Sequence, residues 1–322
     1  MYKAFGNAFK QFSFLLVLAF LLTLTISAQS VITGTWKADT KTNWDKKSKS
    51  DNDDDWDTSD KADNADKIYL SFERRTEKGG RNQNGSDYNY ADLQGLSKQQ
   101  AASGGAVKFS LVREAGTIDC EGTFADGKGS GTFRFTPNMQ FVSGMKSRGF
   151  DFEKNPSRGD GTSEDRLFAA ATINVTTALA DDLLSANFGP LDVDDLFKAA
   201  IFKVDSKFMR EMKASGFPNL GMEELVKARI FKIDADFVRE VTQMGFDKEP
   251  FESLVKMRIF KVTPAFINEV KAEGLENLDI EDLVKMRIFK IDAAFIRQAR
   301  AEGVPLKVEA LVQKRIGVWS KD

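Results

Sequence analysis

Apolar residues fall at every second position in the first part of this chain and at every third or fourth in the rest. Ile68, Leu70 and Phe72 share one face of an extended segment, and Val107, Phe109 and Leu111 alternate with Lys108 and Ser110. Further on, Ile118, Cys120 and Phe124 have Asp119 and Glu121 facing the other way, and Phe133 and Phe135 alternate with Thr132 and Arg134. Alternation at period two marks a half-buried strand. The turns Ala115-Gly116 and Asp126-Gly127 join these runs tightly enough to predict antiparallel neighbours. With a first strand over residues 31–38, the segment 29–136 is expected to be a small antiparallel β domain, apolar on one face and solvated on the other. Inside it, residues 39–66 are rich in Asp, Lys, Ser and Asn and read as a solvated loop, and residues 79–105 are again polar and glycine-containing.

From residue 137 the period moves toward 3.6, and a block of 29 residues repeats. Phe202-Lys203-Val204 returns as Phe231-Lys232-Ile233, Phe260-Lys261-Val262 and Phe289-Lys290-Ile291. In step come Phe208, Phe237, Phe266 and Phe295, then Gly216, Gly245, Gly274 and Gly303, then Leu225, Leu254 and Leu283, with Leu311 one residue early. In the unit that starts at Val262, Thr263 is a natural N-cap, Pro264 suits the first helical position, and Gly274 suits a left-handed stop. Asp279 then caps a second helix over Ile280–Ile288, and Asp205, Asp234 and Asp292 stand where Thr263 stands. Each unit therefore reads as two short helices. The period extends back through Val175, Leu179, Phe188 and Leu196 to Leu167, and Phe141, Gly149 and Phe150 look like one more first helix beyond an insertion around 155–161. The expected fold class is α+β, with the β domain followed by an α-hairpin solenoid over 137–316 and a short tail at 317–322.

Composition narrows the chemistry. The chain has no histidine and one cysteine, Cys120, which excludes His-based nucleophilic and metal sites, thiolate clusters and an internal disulfide. A formal charge of −2 lacks the basic excess of a nucleic-acid binder. Lys3 and Lys10, the apolar stretch from Phe12 to Ile26 and the small pair Ser27-Ala28 follow the plan of a secretory signal peptide over 1–28, with an uncleaved membrane anchor as the competing reading. Periplasmic or secreted placement follows from that. The acidic run from Asp51 to Asp57 resembles a calcium loop only in charge, because Trp56 and Ala62 stand where Gly and Glu are needed. No metal or cofactor is expected.

The charged columns are the candidate site. Lys203, Lys232, Lys261 and Lys290 recur once per unit, as do Arg229, Arg258, Arg287 and Arg315. Side chains repeated in register project as a ladder, and a basic ladder suits an acidic partner; favourable placement beside helix C-termini is the plainer account. In a third column, Lys227, Lys256 and Lys285 follow Glu223, Glu252 and Glu281 by four residues, the favourable helical ion-pair order. The phenylalanine column reads as buried packing between units.

The motifs Gly34-Thr35-Trp36, Leu93-Gln94-Gly95-Leu96, and Val112 to Thr117 leading into Glu121-Gly122-Thr123-Phe124 stand in the β segment. The repeat step Val262-Thr263-Pro264-Ala265-Phe266-Ile267 with Gly274 stands in the helical part. Together they resemble a group of exported bacterial proteins whose similar repeats also follow membrane-embedded zinc-peptidase sensors of the beta-lactam-response type. The resemblance implies an exported interaction module linked to envelope signalling. It carries over no peptidase activity, since the chain has no His-Glu-x-x-His motif and no multi-span membrane domain.

The functional expectation is a non-enzymatic binding or scaffolding module. The concave face of its repeats would engage a protein or an anionic envelope component through Lys203, Lys232, Lys261 and Lys290, with Arg229, Arg258 and Arg287 beside them. The alternative is a carboxylate-based hydrolase with its site between the β domain and the repeats.

Overall fold

The computed structural model describes residues 31–41, 66–75, 81–154 and 162–320. The expected signal peptide or anchor, the calcium-like run with nearly all of the Asp-rich segment, and the 155–161 insertion lie outside the described residues. The fold is α+β, and the chain divides into two compact units: residues 1–138 with 160–171, and residues 139–159 with 172–322.

The first unit is built on a seven-stranded antiparallel sheet of β1 (Ile32–Asp39), β2 (Lys67–Arg75), β3 (Arg81–Asn89), β4 (Leu93–Gln94), β5 (Gly105–Arg113), β6 (Gly116–Ala125) and β7 (Lys128–Pro137). The strand order is β3-β2-β1-β7-β6-β5-β4. Each strand pairs with its neighbour in the chain except at β3 and β4, and β1 also pairs with β7 from Ile32↔Phe135 to Asp39↔Lys128. The result is an up-and-down meander that curls until its first and last strands meet. The Asp126-Gly127 turn has φ of 51° and 74°, the positive values that suit the twist of a two-residue hairpin.

Trp36 organises this unit's core. It is 1% exposed, meets Phe109 edge-on at 5.1 Å between ring centroids, and its Nε1 donates to the Glu121 carbonyl at 3.2 Å. The indole lies so close to β6 that a Cβ at position 122 would stand 2.6 Å from its Cζ2 atom, which is why Gly122 faces it. Cys120 is buried beside this cluster, and burial pushes its thiol pKa up.

Two segments depart from the pattern-based expectation. The polar stretch 79–105 contains β3, β4 and the capped helix α1 (Lys98–Ser103), whose Ser97 and Gln100 form a reciprocal capping box. β3 is an exposed edge strand held to β2 by backbone pairing, so its side chains need no apolar face and alternation never appears. The second departure concerns Leu167, read as part of the repeats. Residues 160–171 cluster with the sheet instead, because Phe168 stacks on Phe133 at 5.2 Å and 6° and meets Phe72 and Phe135 edge-on. The same segment brings Asp165 into an ion pair with Arg74 of β2.

The second unit holds α2 (Met139–Ser147), the end of α3 (Ser163–Ile173), and then five hairpins. Their first helices are α4 (Thr177–Ser185), α6 (Ser206–Ala214), α8 (Ala235–Gln243), α10 (Pro264–Ala272) and α12 (Ala293–Ala301). Their second helices are α5 (Val193–Phe202), α7 (Met222–Ile230), α9 (Phe251–Ile259), α11 (Ile280–Ile288) and α13 (Val308–Arg315). First helices pack on first helices and second on second, so each hairpin buries its apolar stripe against the next. Asp205, Asp234, Thr263 and Asp292 accept the backbone N–H of Phe208, Phe237, Phe266 and Phe295 at 2.7–3.3 Å, which joins the cap column to the aromatic one. Among the described residues no single helix is long and apolar enough to cross a membrane.

Two outcomes test this architecture. Trp36→Ala should destabilise the first unit by about 3–5 kcal/mol, read from chemical denaturation. Cys120 should resist a thiol reagent in the native protein and react with one equivalent once denatured.

Candidate interaction surface

The candidate residues gather where the second helix of each hairpin ends. There the chain closes a Schellman motif: Ile233 N–H donates to the Ala228 carbonyl at 2.8 Å and Lys232 N–H to Arg229 at 3.3 Å. Val262 with Lys261 and Ile291 with Lys290 repeat the pair of bonds. The motif needs a left-handed residue at its C′ position, and after the first four second helices that residue is a lysine: Lys203, Lys232, Lys261 and Lys290 have φ of 57°, 53°, 53° and 52°, while the fifth ends in Gly317 at 78°. All four side chains are exposed. The first helices α6, α8, α10 and α12 end in the same motif with glycine in that place, at Gly216, Gly245, Gly274 and Gly303, and α4 ends at the left-handed Asn187. A non-glycine residue in this conformation costs on the order of 1 kcal/mol, offset in part by the attraction of a cation to a helix C-terminus.

The arginine column does a different job. The guanidiniums of Arg229, Arg258, Arg287 and Arg315 lie over the rings of Phe208, Phe237, Phe266 and Phe295, at 3.8, 3.7, 4.9 and 4.3 Å from their centroids. Three of them also reach back to the preceding hairpin: Arg258 to the Lys232 carbonyl at 2.8 Å, Arg287 to Phe260 at 2.9 Å, and Arg315 to Phe289 at 2.8 Å. Arg229 instead approaches the Asp205 carboxylate at 3.9 Å. These groups clip one hairpin to the next, which leaves the lysines as the outward half of the expected site. The column stops at Ala200, the position one repeat before Arg229. There a recess of about 270 Å³ opens, lined by residues that include Ile173, Asn174, Leu179, Ala200 and Asp205.

The third column also works between hairpins rather than along a helix. Lys227 pairs with Glu252 at 2.7 Å and Lys285 with Glu309 at 2.6 Å, and Lys256 pairs likewise with Glu281. Lys198 opens the series by bonding Glu223 at 2.6 Å, a member that the lysine count in the sequence left out. Adjacent second helices bring the partner carboxylate closer than the residue four positions back on the same helix. A separate link ties Ser206 to Asp182, whose oxygens accept from the Ser206 hydroxyl at 2.6 Å and from its N–H at 2.7 Å. Those bonds hold the Asp182 carboxyl below its ordinary pKa.

One column escaped the sequence reading altogether. Ile201, Ile230, Ile259, Ile288 and Ile316 are 48–54% exposed, each placed at or beside the end of a second helix and each but the last two residues before a column lysine. The signal was present as the recurring Ile-Phe-Lys step, but an aliphatic residue in a helical unit reads by default as core.

Three measurements follow from these contacts. Arg258→Ala should lower stability by about 1–3 kcal/mol, and Arg258→Lys should recover little of it because an ammonium lacks the planar fork. Ala200→Arg should fill the recess and raise the melting temperature, while an unchanged or lower value would reject a guanidinium-shaped slot there. The lowered pKa of Asp182 makes its contribution complete above about pH 4 and lost as the pH falls through the folded value. Asp182→Asn should accordingly flatten the acid limb of a melting-temperature profile.

No family model matches this chain, and no curated protein or solved structure matches it either.

Proposed function

We propose that this protein is an exported, non-enzymatic binding or scaffolding module, periplasmic or secreted, whose hairpin array presents Lys203, Lys232, Lys261 and Lys290 to an acidic protein or an anionic envelope component. One observation carries the reading. The same capping motif ends both helices of the three middle units, with glycine after the first helix and lysine after the second. Glycine is thus a conformational solution that the chain already uses, yet the second position takes the costlier residue four times in succession. The side chain there is exposed and positive each time, and a ladder of cations in register suits a partner with repeated negative charge. The neighbouring Arg258 and Arg287 serve this surface indirectly, by tying successive lysine turns together, and Arg229 covers Phe208 within its own hairpin. The resemblance to repeats attached to envelope sensors supports a role in envelope signalling.

Charge and backbone can be separated experimentally. Replacing all four lysines by glycine should leave stability unchanged or raise it by up to about 1 kcal/mol per site, while weakening partner binding. Charge reversal to glutamate should abolish binding. The assay is an envelope-extract pull-down washed at low and high salt, in which a partner retained at low salt and released at high salt is expected. Retention of the same partner by the glutamate variant would refute the lysine surface.

A further inference from the structure

We propose that the exposed isoleucines beside the lysines form the apolar half of the same surface, and that its occupant is an extended acidic peptide segment carrying an aliphatic side chain at every third residue. The inference rests on the lysine reading above and specifies its partner.

Soluble proteins scatter single aliphatic residues over their surfaces without meaning, so exposure alone argues nothing. Here the same residue is half-exposed at the same place in every hairpin: Ile201 at 54%, Ile230 at 53%, Ile259 at 48%, Ile288 at 51% and Ile316 at 54%. The rest of each helix obeys the burial pattern; Leu225, Val226 and Ala228 are buried while Ile230 is not. The exposed isoleucine is therefore a departure from an otherwise consistent stripe, repeated without change of residue type.

The units along this edge are joined directly. Arg258 donates to the Lys232 carbonyl and is followed at once by Ile259; Arg287 donates to Phe260, beside Lys261, and is followed by Ile288. Each hydrogen bond thus ties the turn that carries one lysine to the helix end that carries the next isoleucine, so the isoleucine–lysine pair recurs hairpin by hairpin along this edge. Packed helices lie about 8–10 Å apart, which sets the step of the row. An extended chain in the polyproline II conformation advances about 9 Å in three residues, so every third side chain meets the next hairpin. The lysines select for carboxylates in the occupant, and the isoleucines for aliphatic side chains between them. A lipid surface would satisfy both chemistries but has no use for a fixed step; the regular spacing favours a periodic chain.

The test uses the full chain and fluorescein-labelled synthetic peptides, read by fluorescence anisotropy. One peptide is Leu-Pro-Glu repeated four times; the other has the same composition with leucines and glutamates at irregular spacing. The regular peptide should bind about tenfold or more tightly than the irregular one, and the combined Ile230→Ser, Ile259→Ser and Ile288→Ser variant should lose that advantage. The comparison of peptides on the wild-type chain stands even where the variant fails to fold. Equal binding of both peptides, removed by lysine charge reversal, would overturn the isoleucine row and leave the lysine surface standing. Binding of neither peptide would also overturn the row, whether or not phosphatidylglycerol vesicles bind in a parallel sedimentation assay. The lysine surface would then be judged on its own pull-down.

Discussion

The helices of the array are eight to ten residues long, and a helix of that length does not hold together alone in water. Everything in the second unit answers that constraint. Both ends of the helices are closed by local bonds: an Asp or Thr side chain before most first helices, and a Schellman turn after first and second helices alike. The remaining stabilisation comes from burial against neighbouring hairpins, which is why Phe208, Phe237 and Phe266, Leu225 and its successors, and Val204 with its successors are nearly closed to solvent, while Phe295 in the last hairpin is half-buried. The arginine over each phenylalanine belongs to the same solution. It covers the ring, and at three positions it also bonds a carbonyl that the preceding helix leaves at its end.

Because the last three junctions between hairpins are built alike, the basic residues sort into three tasks by position. Arginines lie between hairpins. Lys198, Lys227, Lys256 and Lys285 bridge to a glutamate on the following second helix. Lys203, Lys232, Lys261 and Lys290 sit in left-handed turns and are exposed. Columns that look equivalent in the chain thus differ in what they touch, and the last, with the isoleucines beside it, is the exposed one. That division underlies the proposed function.

The first unit depends on a different closure. Pairing of β1 with β7 curls the meander around Trp36, and Phe168, well beyond the end of β7 in the chain, adds a further aromatic layer on Phe133. Such a distant aromatic has no local mark in the sequence. Its neighbour Leu167 stands one repeat before Leu196 and so fits the helical period, and only the contacts of the Phe168 ring assign the segment to the sheet.

The sequence by itself determined the alternating strands, the period of the hairpins, the caps at Asp205, Asp234, Thr263, Asp279 and Asp292, and the burial of Cys120. All of these follow from local rules: period two or 3.6, a side-chain oxygen before a helix, a glycine after one. Tertiary structure alone decided the rest. It made a strand of polar β3, because an edge strand is held by backbone bonds that any residue supplies. It paired Lys227 with Glu252 and not with Glu223, because the adjacent helix brings that carboxylate within 2.7 Å. It placed Arg258 inside the array and Lys261 outside, although the two stand three positions apart, because their environment is set by the neighbouring hairpin. And it left Ile230 and its counterparts in water, since whether an aliphatic residue is core or surface depends on what packs over it, and nothing within the hairpin does.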